Sequence, residues 1–500
     1  MVSLKPMILH FIEKLMTRSS RIGVVVLLVV AHSAVAGADC CLAEGVPLLF
    51  ADDAILAASA NIRRIVHPAV CDREPVLRPT FPWEGNRIYV YGSVWPQPGG
   101  GWRLWYGAGD TVLVADSPDG IQWNRNALGS KNIVTSGFHS PSVLLDRFEK
   151  DATRRYKIVG SQFHAKADGK PDLERTGYYV ATSPDGARWT PPRQIIKGWW
   201  DTVTMAQNPH TGEILVYHKR QTPWRGWPSC RIVFLTKSMD FERWTEPQLV
   251  FAPDEEDDGW IDNPEQHMEI YNMSVLPHAG GYLGFPTMFR VTGTIKNPAR
   301  GQSGTDGVVD VQLATSSDGE TWRRTPGRRT IVARGAEGTF DGGTILGISN
   351  SAITTGDVSM MYYTALTTSH GGKMPEKRIS VGRAVWRRWG WVSLAACRKG
   401  SFTTRPLTLD TDRLVLNARP LADGGNVRLS ILDADGRPMP GLDAKSSIPL
   451  VSDETRHVAA WCGGRRPPVG VPVMVRLDLD RSEAYSISCE RQRRNERIDR

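Results

Sequence analysis

One short pattern, Ser-x-Asp-Gly-x-x-Trp, recurs through the chain and constrains its fold more than any other feature. Alternating stretches reach Ser117, Ser183 and Ser316, turn at Asp119-Gly120, Asp185-Gly186 and Asp318-Gly319, and lead to Trp123, Trp189 and Trp322. A degenerate copy, Ser238-Met239-Asp240-Phe241, leads to Trp244, and a weaker one keeps the strand over 379–385, its turn and Trp391. Period-two alternation reads as a strand with one buried face. Asp accepts hydrogen bonds from the amides of its own turn, and Gly supplies the positive φ that the hairpin needs. The Trp folds back over the hairpin and fills the gap to its neighbour. Successive tryptophans lie 66, 55, 78 and 69 residues apart, which is room for four short strands and their loops. Five such units predict an all-β chain built around a five-bladed β-propeller.

Near residue 392 the chain changes character. Of 17 tryptophans only Trp461 lies outside the span from Trp83 to Trp391. Segments 404–407, 413–416, 427–432, 457–461, 471–477 and 484–488 read as strands separated by turns such as Asp433-Ala434-Asp435-Gly436. Without the repeat they predict a small β-sandwich over 396–490. With 48 Gly and 33 Pro in no short period, collagen and most helical arrays are excluded.

The first residues carry basic side chains, then an apolar run over 22–30, then Ala34-Val35-Ala36. Those are the three parts of a secretory signal peptide over 1–36, cleaved after Ala36. The run is too short to span a bilayer. The sequence therefore predicts a secreted or periplasmic chain with no membrane span after cleavage, a propeller over 37–395 and a basic tail over 491–500. The formal charge of +8 is carried largely by leader and tail, and the body shows no basic stripe of the kind nucleic-acid binding requires. The seven cysteines (Cys40, Cys41, Cys71, Cys230, Cys397, Cys462 and Cys489) show no metal-ligand spacing, and Cys462 with Cys489 is a candidate bridge between C-terminal strands.

In a propeller the innermost strand of each blade lines the central channel. Counting back from each repeat starts those strands near Trp83-Glu84, His139-Ser140, Trp200-Asp201, Glu269-Ile270 and Phe340-Asp341. Glu84, Asp201, Glu269 and Asp341 are then expected to converge on one funnel mouth. Hydrolysing a glycosidic bond takes two carboxyl groups, one protonated to assist the leaving group and one ionised. Asp201 and Glu269 are the expected pair, with Glu84 and Asp341 orienting substrate or tuning pKa. Trp83, His139, Trp200, Gln207, Tyr271, Asn272 and Arg290 are the expected sugar-binding residues. Each acid has a structural alternative: it caps a loop or pairs with Arg.

Pro47-Leu48-Leu49-Phe50-Ala51-Asp52-Asp53, Pro75-Val76-Leu77 and Pro82-Trp83-Glu84 resemble the opening of a group of exported bacterial five-bladed propellers of glycosyl-hydrolase type. That group is similar in architecture to the invertase, levansucrase and arabinanase superfamily. The likeness continues through the hairpins, Asp201 to Gln207-Asn208, Tyr271-Asn272, Tyr282-Leu283-Gly284-Phe285-Pro286 and Met361-Tyr362-Tyr363, and into Thr404-Arg405-Pro406-Leu407 and Leu416-Asn417. It implies an exported glycoside hydrolase acting on a polysaccharide or oligosaccharide, the alternative being a non-catalytic carbohydrate-binding propeller. Blade two departs from the superfamily, offering His139 and Ser140 where an acid is expected, so acid and base roles do not transfer. No cofactor is required, and the sequence is compatible with a Ca²⁺ ion in the channel but does not indicate one. The turn also resembles the sialidase Asp-box, with one residue fewer between Asp and Gly.

Overall fold

The computed structural model describes residues 40–126, 129, 131–199, 201–299 and 301–491, and in it the repeated turn is one object built four times. Ser117 Oγ accepts from the amides of Asp119 and Gly120 (3.3 and 2.8 Å), and Asp119 Oδ1 from those of Ile121 and Gln122 (2.8 and 3.0 Å). Ser183, Ser238 and Ser316 hold the amides of Gly186, Phe241 and Gly319 in the same way, each at 2.8 Å. The residue after Asp has φ of 76°, 72°, 61° and 78° at Gly120, Gly186, Phe241 and Gly319.

Each turn docks on the second strand of the preceding blade. Trp105 Nε1 donates to the Gly186 carbonyl at 2.7 Å, Tyr217 Oη to that of Gly319 at 2.8 Å, and Tyr362 Oη to that of Gly120 at 2.5 Å. These aromatics leave no room for a side chain: a Cβ on Gly186 would lie 2.5 Å from Trp105 Cζ2. Trp105, Val159 and Tyr217 pair with residues three before the turn serine of their own blade, so they hold equivalent places. Val159 is the small member of that set, and opposite it the turn carries Phe241, whose buried ring packs in the same core. Between the fourth and fifth blades Trp389, at φ 48°, packs in one cluster with Phe285. Bulk is thus exchanged across each interface while the contact is kept.

Five sheets form the blades. The first is Val94–Pro96, Trp102–Ala108, Thr111–Ser117 and Ile133–Ser136; the second is His139–Leu145, Tyr156–Gln162, Gly177–Ser183 and Arg193–Lys197. The third is Val203–Gln207, Ile214–Trp224, Trp227–Ser238 and Gln248–Phe251, and the fourth opens with His267–His278 and Gly281–Thr294. The fifth runs Thr344–Ile348, Val358–Leu366 and Ile379–Arg387, and its outer strand comes from Val70–Cys71, with Cys71 opposite Ala384. An early piece of chain therefore closes the ring. Inner strands have open edges, which hydroxyls satisfy: Thr202 Oγ1 donates to the Tyr271 carbonyl at 2.9 Å and Thr364 Oγ1 to that of Val90 at 2.9 Å.

A further set of ten hydrogen-bonded strands joins the two ends of the chain. Val392–Thr404 and the long Pro472–Cys489 bind not only C-terminal neighbours but also Leu48–Leu49, Leu56–Ala60 and Arg63–Val66, and Cys40–Leu42 pairs with Leu407–Leu409. Sequence reading put everything from 37 to 395 in the propeller; these four strands pair elsewhere because the C-terminal strands present free edges that only a distant segment can cover. Their shared core includes Leu42, Phe50, Phe402, Leu416, Trp461 and Leu477. Cys489 is buried with its Sγ 3.5 Å from the Thr411 carbonyl, whereas Cys462 is exposed, so the suggested bridge is not made. The signal-peptide reading and the tail from 492 lie outside the described residues. No helix among the described residues is long and apolar enough to cross a membrane.

Two substitutions test the docking of turn on blade. Gly186→Val should cost about 2–4 kcal/mol through overpacking and a disfavoured φ, and Phe241→Ala about 3–5 kcal/mol through the cavity it leaves. Both are read by urea denaturation; wild-type midpoints would show that the interfaces do not depend on these turns.

Candidate functional site

Register breaks interrupt three inner strands at the same end of the ring: between His139 and Ser142, between Ile270 and Asn272, and between Ile345 and Gly347. A bulge re-aims the side chain it leaves unpaired. Tyr271 and Leu346, skipped by their ladders, both line an axial pocket together with His139. Arg87, Tyr89 and Tyr91 arrive from the first blade, and His370, Met374 and Lys377 from the loop after Val358–Leu366. The pocket encloses about 470 Å³, open mouth included. Ser140 (φ 52°) and Asp201 (φ 123°) hold backbone conformations that side chains rarely adopt. Such strain persists only where surroundings over-determine it, and functional sites collect it.

A chain of alternating charge runs beside the pocket. Lys219 Nζ bonds Asp201 Oδ2 at 2.5 Å, and His139 Nε2 lies 3.8 Å from Asp201 Oδ1. Burial alone would raise the Asp201 carboxyl, but Lys219 and His139 hold it well below the usual carboxylate range. Lys219 Nζ also sits 4.2 Å from the Tyr271 ring centre, and Arg231 approaches that ring from the side of Glu269. Glu269 is buried, paired with Arg231 and bonded to His267 Nε2 at 3.1 Å. Against the cost of burial, His267 and Arg231 lower its pKa. Trp227 stacks on His267 at 3.9 Å. Burial pushes the hydroxyls of Tyr89, Tyr91 and Tyr271 up, so all three keep their protons.

The four expected carboxylates do not converge. Glu84 is buried under Thr80 N, Phe81 N, Tyr106 Oη and Arg125 Nη1, all within 3.0 Å, and caps its own loop. Asp341 accepts from Tyr363 Oη at 2.8 Å and Thr339 Oγ1 at 3.0 Å, inside the fifth blade. Neither lines the pocket, because both precede their inner strands by several residues. Glu269 is locked by Arg231 and His267. Asp201 remains, outside the pocket lining but 3.8 Å from its lining residue His139, with its side chain 29% exposed. Of the expected binding residues, His139 and Tyr271 line the pocket. Trp83 stacks on Phe81 and bonds Asn132 at 2.9 Å, Arg290 pairs with Asp310, and Asn272 is buried. Gln207 bonds Asp146 at 2.6 Å and lines a cavity at the opposite end of the inner strands. Trp200 lies outside the described residues.

Sequence reading missed Arg87, Tyr89, Tyr91, Lys219, Arg231 and Lys377. The alternation Arg87-Ile88-Tyr89-Val90-Tyr91 was the available signal for the first three. Among the described residues no cluster of three or more His, Cys, Asp and Glu is arranged to hold a metal ion.

The strand pairing makes this chain a five-bladed β-propeller. No family model and no curated protein matches it. Solved structures similar to it include an N-acetylgalactosamine deacetylase from F. plautii in complex with blood group B trisaccharide, 15% identical over 66% of this chain and 95% of that one, TM-score 0.41. A thermostable family-43 glycoside hydrolase is 14% identical over 61% of this chain and 90% of that one, TM-score 0.40. The α-L-arabinofuranosidase from Podospora anserina in complex with cellotriose is 12% identical over 64% of this chain and 96% of that one, TM-score 0.39.

Removing Arg231 tests the buried pair. Arg231→Met strands the Glu269 carboxylate and should cost about 3–5 kcal/mol at pH 7. In wild type Glu269 titrates below its unfolded value, so its contribution is lost as pH falls; in the variant it titrates above, so the penalty is relieved over the same fall. Denaturation midpoints of the two proteins should therefore draw together towards about pH 4, and a constant gap would reject the pair.

Proposed function

We propose that the axial pocket is the site of a glycoside hydrolase, with Asp201 as its catalytic carboxylate. The observation that carries this reading is Asp201 itself: ionised, partly open, and strained at the pocket end of the ring. Glycoside hydrolysis needs an ionised carboxylate to deprotonate water or to attack the anomeric carbon. Lys219 and His139 keep Asp201 in that form, and the protonated Tyr89, Tyr91 and Tyr271 offer hydroxyls and ring faces to a sugar. His139, 27% exposed, lies 3.7 Å from Asp110 and is the nearest imidazole to Asp201. At 3.8 Å it lies nearer to Asp201 than the roughly 5–5.5 Å of a retaining carboxylate pair. Glu269 is a positioning residue acting through Arg231. The leader-like pattern ending at Ala36 supports export.

A second reading, sugar binding without turnover, is favoured by one observation: Glu84, Glu269 and Asp341 are each held by their own partners. A panel of furanosides and pyranosides separates the two. Hydrolysis by wild type, with Asp201→Asn losing about 10³-fold or more in kcat while still binding sugar, supports the first. Binding without any sugar release supports the second and overturns the first. In an active enzyme Lys219→Met should move the acid limb of kcat/KM to higher pH, because the cation that depresses Asp201 is gone.

A further inference from the structure

Two cations face the axial pocket without a counter-ion. Arg87 stands exposed at the mouth, and Lys377 is 7% exposed, its Nζ donating to the His370 carbonyl at 2.5 Å. Neither forms an ion pair among the described residues. The acid whose field reaches Lys377 is Asp306, and one of its oxygens already accepts the amides of Gly307 and Gly371 at 2.8 Å each. Burial and the like charge of Arg87 both press the Lys377 ammonium below its ordinary range. His370, kept neutral by burial with its pKa lowered to about 3, adds no charge of either sign. A fold gains little by burying an ammonium beside a second cation when the acid in its field, Asp306, forms no ion pair with it. The arrangement makes sense when a ligand brings the anion.

We infer that the axial pocket selects a sugar bearing a carboxylate, a uronic acid residue, with Arg87 and Lys377 as its anion subsite. This rests on the reading of the pocket as a sugar site. The guanidinium fork meets a planar carboxylate through two parallel hydrogen bonds, and the ammonium supplies a point charge from below. Tyr89, Tyr91 and Tyr271 form a wall against which the sugar ring packs, and Asp201 adjoins that wall through His139, 3.8 Å away, and through Lys219, which bonds it and lies over the Tyr271 ring. A sulfate ester shares this anionic chemistry, and the test separates the two.

Calorimetric titrations compare oligomers of galacturonate, glucuronate and mannuronate with their carboxyl-reduced counterparts, with sulfated neutral oligosaccharides as a third arm. The expected result is at least one uronate binding about 10–100-fold more tightly than its reduced form, a preference that Arg87→Gln and Lys377→Met each bring towards parity, the reduced sugar losing much less affinity than the uronate. Lys377→Met should also raise Tm in the absence of sugar, since it deletes an uncompensated buried charge, and this shows that the variant is folded. Equal binding of charged and reduced sugars, or variants that weaken both alike, overturns the inference and leaves the hydrolase reading standing. Preference for the sulfated arm overturns the uronate assignment. If sugars of every arm are neither bound nor cleaved, the hydrolase reading itself falls.

Discussion

The contact between a turn of one blade and the second strand of the blade before it sets the geometry of everything else in this propeller. It is a backbone carbonyl meeting an aromatic donor at close range, possible only where the turn residue adopts a positive φ and lacks a Cβ. Trp105 on Gly186, Tyr217 on Gly319 and Tyr362 on Gly120 are three instances, the last running from the fifth blade back to the first. Where Val159 withdraws bulk, Phe241 returns it from the other side at the cost of a strained φ. The interface tolerates this trade because close packing constrains the summed volume more than the identity of either partner.

Blade spacing in turn decides where the inner strands end, and the bulges there convert a ring of strands into a pocket. His139, Tyr271 and Leu346 face inward because their ladders skip a residue at the same level. Behind them, Asp201, Lys219, Arg231 and Glu269 neutralise one another in a poorly solvated region where isolated charges would not persist. The result holds one carboxylate ionised and partly open while locking the other away. The opposite end of the inner strands is a different environment, a larger cavity lined by Trp95, Trp389, Leu145 and Met205. One axis thus carries a polar and an apolar mouth.

Much of the site was illegible in the sequence for a definable reason. Placing the inner strand of the first blade at Trp83-Glu84 missed its start by a few residues, and period-two alternation then exchanged a loop-capping Glu84 for the pocket residues Arg87, Tyr89 and Tyr91. In the third blade Arg220 stacks between Trp199 and Phe234, while its neighbour Lys219 holds Asp201, a division of labour that two adjacent cations in sequence do not reveal. Gln207 ends the short strand Val203–Gln207 that starts two residues after Asp201, yet lies at the other mouth, since a strand of that length crosses the ring from end to end. Bulges carry no sequence signature, so Tyr271 was found for its chemistry and Leu346 was not found at all.

Strand periodicity, the hairpin turns and their spacing were enough to determine an all-β chain of five blades, because each rests on interactions within a few residues. The sequence also identified Asp201, His139 and Tyr271 as polar residues at strand starts. Tertiary structure alone decided that residues 70–71 close the ring, that strands before residue 67 join the C-terminal sheet, and that three of four acids are occupied elsewhere. Those outcomes depend on which free edges and which cations come within reach once the ring has closed. Such encounters link residues hundreds of positions apart, and local pattern holds no record of them.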